Sequence, residues 1–344
     1  MFNYQKTQRL KNTVTHNMFF TGNDGSLKGF QEAVISVSNM EKTLDFFQRV
    51  CGWKVITEGS GSAALKSLWQ VGSEVDITEV VLHNEGDKEG FLRLVQFHNV
   101  EQERIRSGAS AWDAGGIFDI NMRIHDMDSW YRLCQDEGWH GLADQLRYTF
   151  GPFDVSEVLM KGPDGITVAF MQRFSPPLEG YDHMKTTSRI FNSSMIVSDI
   201  EVSRKFYEEQ LGFKMNFQTA GDQRIGTDNV LGFPQNTNKN ITVPIDIVKP
   251  SEDNFGTIEY LEPKEFKGKN CAAFAHPPNL GILMLRFPVR DAEAYAEELI
   301  SRGLAIHSGI VEVDIAPYGM AKVFSVRSPD GVWLEFMQLK TDTI

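Results

Sequence analysis

Four stretches of the chain share one order of apolar and polar positions. Each stretch begins with a short apolar run of strand type, and these runs are AVISV, INMRI, SMIVS and ILMLRF. Next comes a polar residue, followed by apolar positions at helical spacing. A glycine ends this predicted helical segment. Later segments such as AKVFSVR and VWLEFMQ alternate in the manner of half-buried strands. The pattern predicts four units of β-α-β-β-β type, an α+β fold.

The predicted helices have defined starts and ends. An Asn or Asp precedes each helix, where its side chain can accept hydrogen bonds from free backbone N–H groups. These four residues are Asn39, Asp126, Asp199 and Asp291. A glycine stands where each helix would end in a left-handed residue, at Gly52, Gly138, Gly212 and Gly303. The same signals in all four places indicate one structural unit used four times.

The four units form two related blocks. The first helical segment aligns without a gap with the third, and the second aligns with the fourth. Each block also ends in a Pro-Asp-Gly turn followed by a strand, as KGPDGITVAFMQ and RSPDGVWLEFMQ. We therefore expect an N-terminal extension (1–27), a first domain (28–172), a linker (173–187) and a second domain (188–340).

Length and composition narrow the class of protein. The 344 residues are 41% hydrophobic and 23% charged, which is enough for two globular domains. The formal net charge of −12, with no Lys/Arg run, argues against nucleic acid as a partner. The three cysteines are far apart and offer neither a disulfide framework nor a zinc spacing. No apolar run has the length of a signal peptide or membrane span, so we expect a cytoplasmic protein with no membrane partner.

These units resemble a known family, the vicinal oxygen chelate superfamily. The resemblance rests on the strand-and-cap pattern SMIVSDIEVSRKFYEEQLGF and on the last-strand pattern SPDGVWLEF, and it covers nearly the whole chain. The superfamily includes glyoxalase I, extradiol dioxygenases, methylmalonyl-CoA epimerase and bleomycin-resistance proteins. It implies two glyoxalase/bleomycin resistance/dioxygenase-like domains, each with two units and a cupped mixed sheet. Because this fold hosts several chemistries and some pure binders, it does not define a reaction.

The resemblance also implies positions for metal ligands, on the first strand of a unit and at an acid position in its last strand. In the second block these positions are Asn192, Glu259, Met284 and Glu335. Two carboxylates and an amide suit Mg²⁺, Mn²⁺ or Ca²⁺, whereas methionine is a poor ligand for these ions. None of the eight histidines occupies such a position, which weakens the case for Fe²⁺ or Zn²⁺.

We therefore expect the second domain to hold the active cup. Asn192, Glu259 and Glu335 would be the metal ligands, and Glu259 and Glu335 would also exchange protons with a substrate. Strand alternation places Trp333 on the face of Glu335, and we expect Trp333, Met284 and Tyr318 to border the pocket. In the alternative interpretation, the two glutamates are remnants of a lost site, held by water or by a basic partner.

The corresponding positions of the first block are Glu32, Arg93, Asp119 and Ala169. Arginine is not a metal ligand, and two acids around one guanidinium form a self-satisfied ion pair. We therefore expect the first domain to be a scaffold, with a metal or substrate-anion role as the alternative. The sequence allows two interpretations of the segment 218–240, as a lid or as a surface insertion. It also allows two positions for Trp69, in a pocket or in the core.

The leading functional hypothesis is a metal-assisted lyase or isomerase (epimerase) acting on a small oxygenated carbonyl or hydroxyl substrate. A divalent metal would polarise the oxygen and make the adjacent C–H more acidic. The rival is a non-catalytic small-molecule binder of the bleomycin-resistance type. A divergent extradiol-type dioxygenase is the third hypothesis. It ranks last because the two histidines of such enzymes are absent. Four units in one chain can build the cups alone, so a monomer and a homodimer are both compatible with the sequence.

Overall fold

A computed structural model describes residues 27–221, 229–238, 241–252 and 255–340. The four predicted units are present in the predicted order, and we name them modules 1 to 4. All four capping predictions are confirmed, since each cap side chain accepts a hydrogen bond from a backbone N–H of the first helical turn. The four predicted helix-ending glycines all have φ between 78° and 82°. The predicted N-terminal extension lies outside the described residues, except for residue 27.

Modules 1 and 2 occupy the first half of the chain. Module 1 comprises β1 (Glu32–Ser36), α1 (Met40–Asp45, continued as a π-helix over Phe46–Val50), β2 (Lys54–Ser60), α2 (Ala63–Leu68), β3 (Asp76–His83) and β4 (Phe91–His98). Module 2 comprises β5 (Asp119–Ile124), α3 (Met127–Asp136), β6 (His140–Gly141), β7 (Leu146–Phe150), β8 (Phe153–Lys161) and β9 (Thr167–Ser175).

Modules 3 and 4 repeat this order in the second half. Module 3 comprises β10 (Thr187–Ile196), α4 (Ile200–Arg204, continued as a π-helix over Lys205–Gln210), β11 (Lys214–Thr219), α5 (Gln235–Asn238), β12 (Ile245–Lys249) and β13 (Thr257–Leu261). Module 4 comprises β14 (Gly281–Pro288), α6 (Ala292–Ser301), β15 (Ser308–Ile315), β16 (Gly319–Arg327) and β17 (Trp333–Leu339). Within the described residues, no helix combines the length and apolar character needed to span a bilayer.

The modules pair across the two halves of the chain. One curled sheet has the strand order β15-β16-β17-β14-β1-β4-β3-β2 and joins module 1 to module 4. The other has the order β11-β12-β13-β10-β5-β9-β8-β6, with β7 added on β8, and joins module 2 to module 3. Antiparallel pairs of first strands, β1 with β14 and β5 with β10, form the two seams.

This pairing corrects one expectation, namely that each cup would be built within one sequence block. The four modules carry the same hydrophobic pattern. A module can therefore bury its apolar face equally well against the other module of its own block or against a module of the other block. The segment 173–187 joins β9 to β10, so it connects two modules of one sheet instead of separating two cups. We name the inner face of the module 1/4 sheet the closed cup and that of the module 2/3 sheet the open cup.

Apolar side chains fill the closed cup. Its core contains Val34, Trp69, Met284, Trp333 and other buried residues of modules 1 and 4. A larger core includes buried residues of all four modules, so the two sheets share one interior. The burial of apolar side chains in these two cores is the main contribution to the stability of such a fold.

The Pro-Asp-Gly turns tie one sheet to the other. Asp164 accepts hydrogen bonds from the backbone N of Ser38 at 2.7 Å and from its hydroxyl at 2.8 Å. Asp330 accepts equivalent bonds from Ser198, with a backbone distance of 3.1 Å. A Cβ at Gly331 would lie 2.7 Å from a backbone oxygen, so this turn requires glycine for its close approach as well as for its φ of 77°. Each turn therefore buries a carboxylate that links two modules of different sheets.

Candidate functional site

A cavity of about 960 Å³ occupies the open cup. Its walls come from strands of modules 2 and 3 and from the segments that follow β9 and β11. A volume of this size is typical of small-molecule sites, which measure roughly 300–1,000 Å³. The cavity is the principal candidate for a functional site among the described residues.

Two carboxyl groups face this cavity from one row across the sheet. Ser194 of β10 pairs with Asp119 of β5 on one side and with Glu259 of β13 on the other. All three residues line the cavity. Glu157 of β8 adds a third carboxyl to the lining, two strands from Asp119. The described residues place no Lys or Arg at ion-pair distance from these three carboxyls.

Burial makes these carboxyls weak acids. It raises the pKa of Asp119 to about 7, with a further contribution from the charge of Glu157, while hydrogen bonds from Ser194 oppose the rise. Burial and the charges of Asp119 and Glu157 raise the pKa of Glu259 to about 8. Near neutral pH the row therefore holds at least one proton and can both donate and accept one.

A hydrogen bond connects Glu157 to an aromatic wall of the cavity. The hydroxyl of Tyr148 donates to Oε2 of Glu157. Burial raises the pKa of Glu157, and this hydrogen bond and the positive charge of Arg123 partly oppose it. Burial and the nearby Glu157 also raise the pKa of Tyr148 well above its usual value. Tyr148 therefore stays a neutral hydrogen-bond donor at physiological pH.

The closed cup contains a different polar arrangement. Glu335 accepts hydrogen bonds from Nε of Arg286 at 2.7 Å and from Nε1 of Trp69 at 2.8 Å. The same Arg286 also donates to Glu32. Arg286 and both glutamates have no exposed surface. The carboxylate of Glu335 is thus neutralised by an arginine that the ligand mapping did not include.

Glu32 is held by two arginines and a tyrosine. Nε of Arg93 donates to Glu32 at 2.8 Å, and the hydroxyl of Tyr318 donates at 2.9 Å. Burial alone would raise the pKa of Glu32, but Arg93 and Arg286 outweigh it and hold the pKa below its usual value. The predicted self-satisfied ion pair between Glu32 and Arg93 is confirmed. Asp119, the second acid of that prediction, lies in the open cup instead.

The expected metal ligands are therefore divided between the two cups. Asn192 and Glu259 face the open cup, whereas Glu335 belongs to the closed cup. The physical reason is the cross-pairing of modules, because β13 and β17 are last strands of different sheets. The expected convergence of Glu259 and Glu335 on one site is wrong.

The three expected pocket residues also belong to the closed cup. Trp333, Met284 and Tyr318 are at most 3% exposed and lie in the core of that cup. The expectation that they border the pocket is wrong. Trp69 belongs to the same core, so of its two interpretations the structural one is confirmed.

The donor groups of neither cup form a metal site among the described residues. No group of three or more His, Cys, Asp and Glu side chains there has metal-binding spacing. In the closed cup, Arg286 and Arg93 already neutralise the carboxylates, and their charge repels a cation. In the open cup, Asn192 supports Glu259 with a hydrogen bond, and the described carboxyls of the lining are not grouped as a set of three that could hold a metal ion. The residues present therefore do not fit the divalent metal that the family resemblance implied.

Several polar residues of the cavity are not indicated by the sequence pattern, among them Arg123, Tyr148, Glu157 and Arg173. A signal for one of them exists in β5, whose sequence is DINMRI. Alternation from Asp119 places Asn121 and Arg123 on the same face, and polar residues on one face of a buried strand indicate a site. The others lie on β7, β8 and β9, where only the pairing of strands brings them together.

Two predicted loops border the cavity. The segment 173–187, expected to be a linker, supplies Pro176, Pro177, Leu178 and Tyr181 to its wall. From the segment 218–240, Gly221, Asn229 and Leu231 are among the lining residues. Residues 222–228 and 239–240, on which the lid hypothesis partly rests, lie outside the described residues.

The fold and the cavity define a four-module βαβββ protein with one closed and one open cup. Residues 182–336 match the family sequence model of the Glyoxalase/Bleomycin resistance protein/Dioxygenase superfamily. Glyoxalase I of Zea mays is similar in structure, with a TM-score of 0.60 at 15% identity, over 90% of this chain and 92% of that one. A putative dioxygenase of Bacillus subtilis has a TM-score of 0.57 at 10% identity, over 92% and 86%.

The match places residues 182–336 in this superfamily by sequence, and the fold of both halves is similar to that of glyoxalase I. The predicted α+β fold with two cupped sheets of paired modules is thus confirmed. At these low identities the structural likeness shows the fold alone. A comparison with curated proteins finds no match for this chain.

Proposed function

We propose that the open cup binds a small oxygenated molecule and acts on it as a lyase or isomerase, with Glu259 and Asp119 as acid–base groups. The observation that carries this proposal is the row of Asp119, Ser194 and Glu259 facing one cavity with no cation at ion-pair distance in the described chain. The proposal refers to the carboxyl groups themselves and derives no step through a metal.

The chemistry suited to this row is proton transfer next to a carbonyl group. The carboxylate of Asp119, the group with the lower pKa, would accept a proton from the carbon beside the carbonyl. The protonated carboxyl of Glu259 would donate a hydrogen bond to the oxygen on which negative charge develops. Return of the proton to the same carbon from its other face, or to a neighbouring carbon, completes an isomerisation without any other reactant. The raised pKa values of about 7 and 8 suit these roles, because a general base works best with a pKa near the working pH.

A solvent-exchange experiment tests this proposal. Small ketones and oxo acids are incubated with the protein in D₂O, and exchange of the hydrogens next to the carbonyl is followed by NMR. We expect faster exchange with the protein, a rate that rises from pH 6 to a maximum between about 7 and 8 and falls at higher pH, and a loss of about 100-fold in Asp119→Asn. Glu85→Gln, an exposed carboxyl on the surface, is the matched control and should behave as the parent protein.

A non-catalytic binder is the second candidate. The aromatic part of the cavity wall, including Tyr148, Phe153 and Phe191, favours it because such surfaces bind apolar groups without chemistry. Binding of the ketones in the cavity without any exchange would overturn the catalytic proposal and support this one. Failure of every probe both to bind and to exchange would overturn both.

A further inference from the structure

The rim of the open cup carries two arginines that no carboxylate of the described residues neutralises. Arg123 follows Asp119 on the inner face of β5, and Arg173 follows Met171 on the inner face of β9. Within the described chain neither guanidinium forms an ion pair, and Nε of each is buried without a hydrogen-bond partner. Nη1 of Arg123 donates to the sulfur of Met171, which is only a weak acceptor. A buried guanidinium without a strong acceptor is costly, and an anion bound between the two would remove that cost.

The other charged residues in the described lining of the cavity do not satisfy these arginines. Arg189 lines the same cavity, but it is bound to Asp87 at 2.6 Å and is therefore already neutralised. Glu179 also lines the cavity and forms no ion pair with Arg123 or Arg173. Glu157 is near enough to influence Arg123 but is bound to Tyr148 instead.

Aromatic rings hold both guanidiniums in position. Arg123 lies over the ring of Phe191 at 3.9 Å from its centroid, and Arg173 lies over Phe153 at 4.3 Å. Stacking of this kind covers the flat face and leaves the N–H groups at the edge free for a planar anion. Arg123 pairs across the sheet with Met171, and Arg173 lies two residues further along that neighbouring strand, so the two guanidiniums are near one another. Burial and the charge of Arg173 lower the pKa of Arg123 to about 10, which leaves it charged at neutral pH.

The acidic row and the arginine pair lie at opposite ends of the cavity. Arg123 lies four positions after Asp119 along β5, which corresponds to about 13 Å of extended strand. Asn121 and Asn192, neutral and able to hydrogen-bond, lie between them. The two kinds of group are therefore separated along the cavity, with the proton-exchanging carboxyls at one end and the two positive charges at the other.

We propose that the ligand of the open cup is an anion whose carboxylate binds between Arg123 and Arg173 while its carbonyl or hydroxyl oxygen reaches the row of Asp119 and Glu259. This inference rests on the proposed function for the position of the site and names the class of ligand. The anionic group and the reacting oxygen are at opposite ends of an extended molecule. Arg123 and Arg173 are binding residues in this proposal, and they take no part in proton transfer.

A homologous series of oxo acids tests the inference. Each acid has a methyl ketone at one end and a carboxylate at the other, and its methyl ester serves as the uncharged partner. Calorimetric titration should show that the parent protein binds the best-fitting acid at least about tenfold more tightly than its ester. Affinity should pass through a maximum as the chain between the two groups lengthens. Arg123→Gln and Arg173→Gln should each remove most of the preference for the acid and leave the affinity for the ester nearly unchanged.

Arg147→Gln is the matched control, since Arg147 is an exposed neighbour on β7 that is paired with Asp154 and does not line the cavity. It should keep the full preference for the acid. If Arg123→Gln fails to fold, the less buried Arg173→Gln decides the question alone. Equal affinity for acid and ester in the parent protein would overturn the anion site but leave the proposed function standing. Binding of neither acid nor ester would overturn both.

Discussion

Asp119 and Glu259 face one cavity from either side of Ser194, although 140 positions of the chain and two different sequence blocks separate them. Neither is neutralised by a cation at ion-pair distance in the described chain. The corresponding acid positions of the other sheet, Glu32 and Glu335, share a single arginine. The two cups thus use one fold in opposite ways, one for an internal ion-pair network and one for a hollow with proton-exchanging groups.

The acidic row should make the protein less stable as the pH rises. The folded-state pKa values of Asp119 and Glu259 lie above their unfolded values, so the native state binds more protons than the unfolded state. The contribution of these groups to stability is therefore greatest below the unfolded pKa near 4. It is lost as the pH rises through about 7 and 8. Glu259→Gln should raise the free energy of unfolding at pH 8 by roughly 1–3 kcal/mol, since one pKa unit corresponds to about 1.4 kcal/mol.

Urea unfolding at pH 5 and at pH 8 measures this effect. The gain from Glu259→Gln should be present at pH 8 and nearly absent at pH 5. Glu85→Gln, at a surface position, supplies the control for a lost negative charge. A variant less stable than the parent at pH 8 would show that the folded protein stabilises Glu259 as a carboxylate, which contradicts a raised pKa.

The sequence contained most of the information about the modules and little about their partners. Caps, helix-ending glycines and Pro-Asp-Gly turns are local features, and local backbone chemistry determines them without reference to the rest of the chain. Strand pairing between modules is a long-range choice. Because all four modules carry the same pattern, the sequence alone favoured neighbours within a block, whereas the sheets join modules 1 with 4 and 2 with 3.

That choice of partner also explains which site residues could be found. Glu259 and Asn192 belong to one module, and their placement in a cup did not depend on the partner module. Glu335 was assigned to the same site on the assumption that modules 3 and 4 share a sheet. Arg286 lies on the face of Met284, two residues away on β14, so strand alternation could have identified it as the group that neutralises Glu335.

Arg286 should be essential for the stability of the closed cup. Replacement by leucine leaves Glu32 and Glu335 buried with fewer compensating charges, and loss of one partner of a buried ion pair costs about 3–5 kcal/mol. By contrast, Lys185→Ala removes an exposed pair with Glu85 and should cost less than about 1 kcal/mol. Urea unfolding of both variants provides the comparison, and equal losses would mean that the network in the closed cup contributes no more than a surface pair.

Glu335 and Glu259 should have separable effects on ligand binding. Glu335→Gln weakens a network outside the cavity, so it should lower stability while leaving the affinity for an oxo acid within about twofold of the parent value. Glu259→Gln should raise stability at pH 8 and change the affinity or the exchange rate. Calorimetric titration at a temperature where both variants are folded measures the affinities. A large loss of affinity in Glu335→Gln alone would place the ligand in the closed cup.

Division of the chain in the segment 173–187 should yield two fragments that need one another. Residues 188–340 contain β10 and β14, whose antiparallel partners β5 and β1 both lie in residues 28–172. Each fragment alone would expose two unpaired seam strands with apolar faces, which favours aggregation or an unfolded chain. Co-expressed, the fragments should associate tightly, purify together and give the dispersed NMR spectrum of the intact protein. A fragment 188–340 that is monomeric and folded by itself would mean that modules 3 and 4 can pair with each other, and the cross-paired sheets would then not be required for the fold.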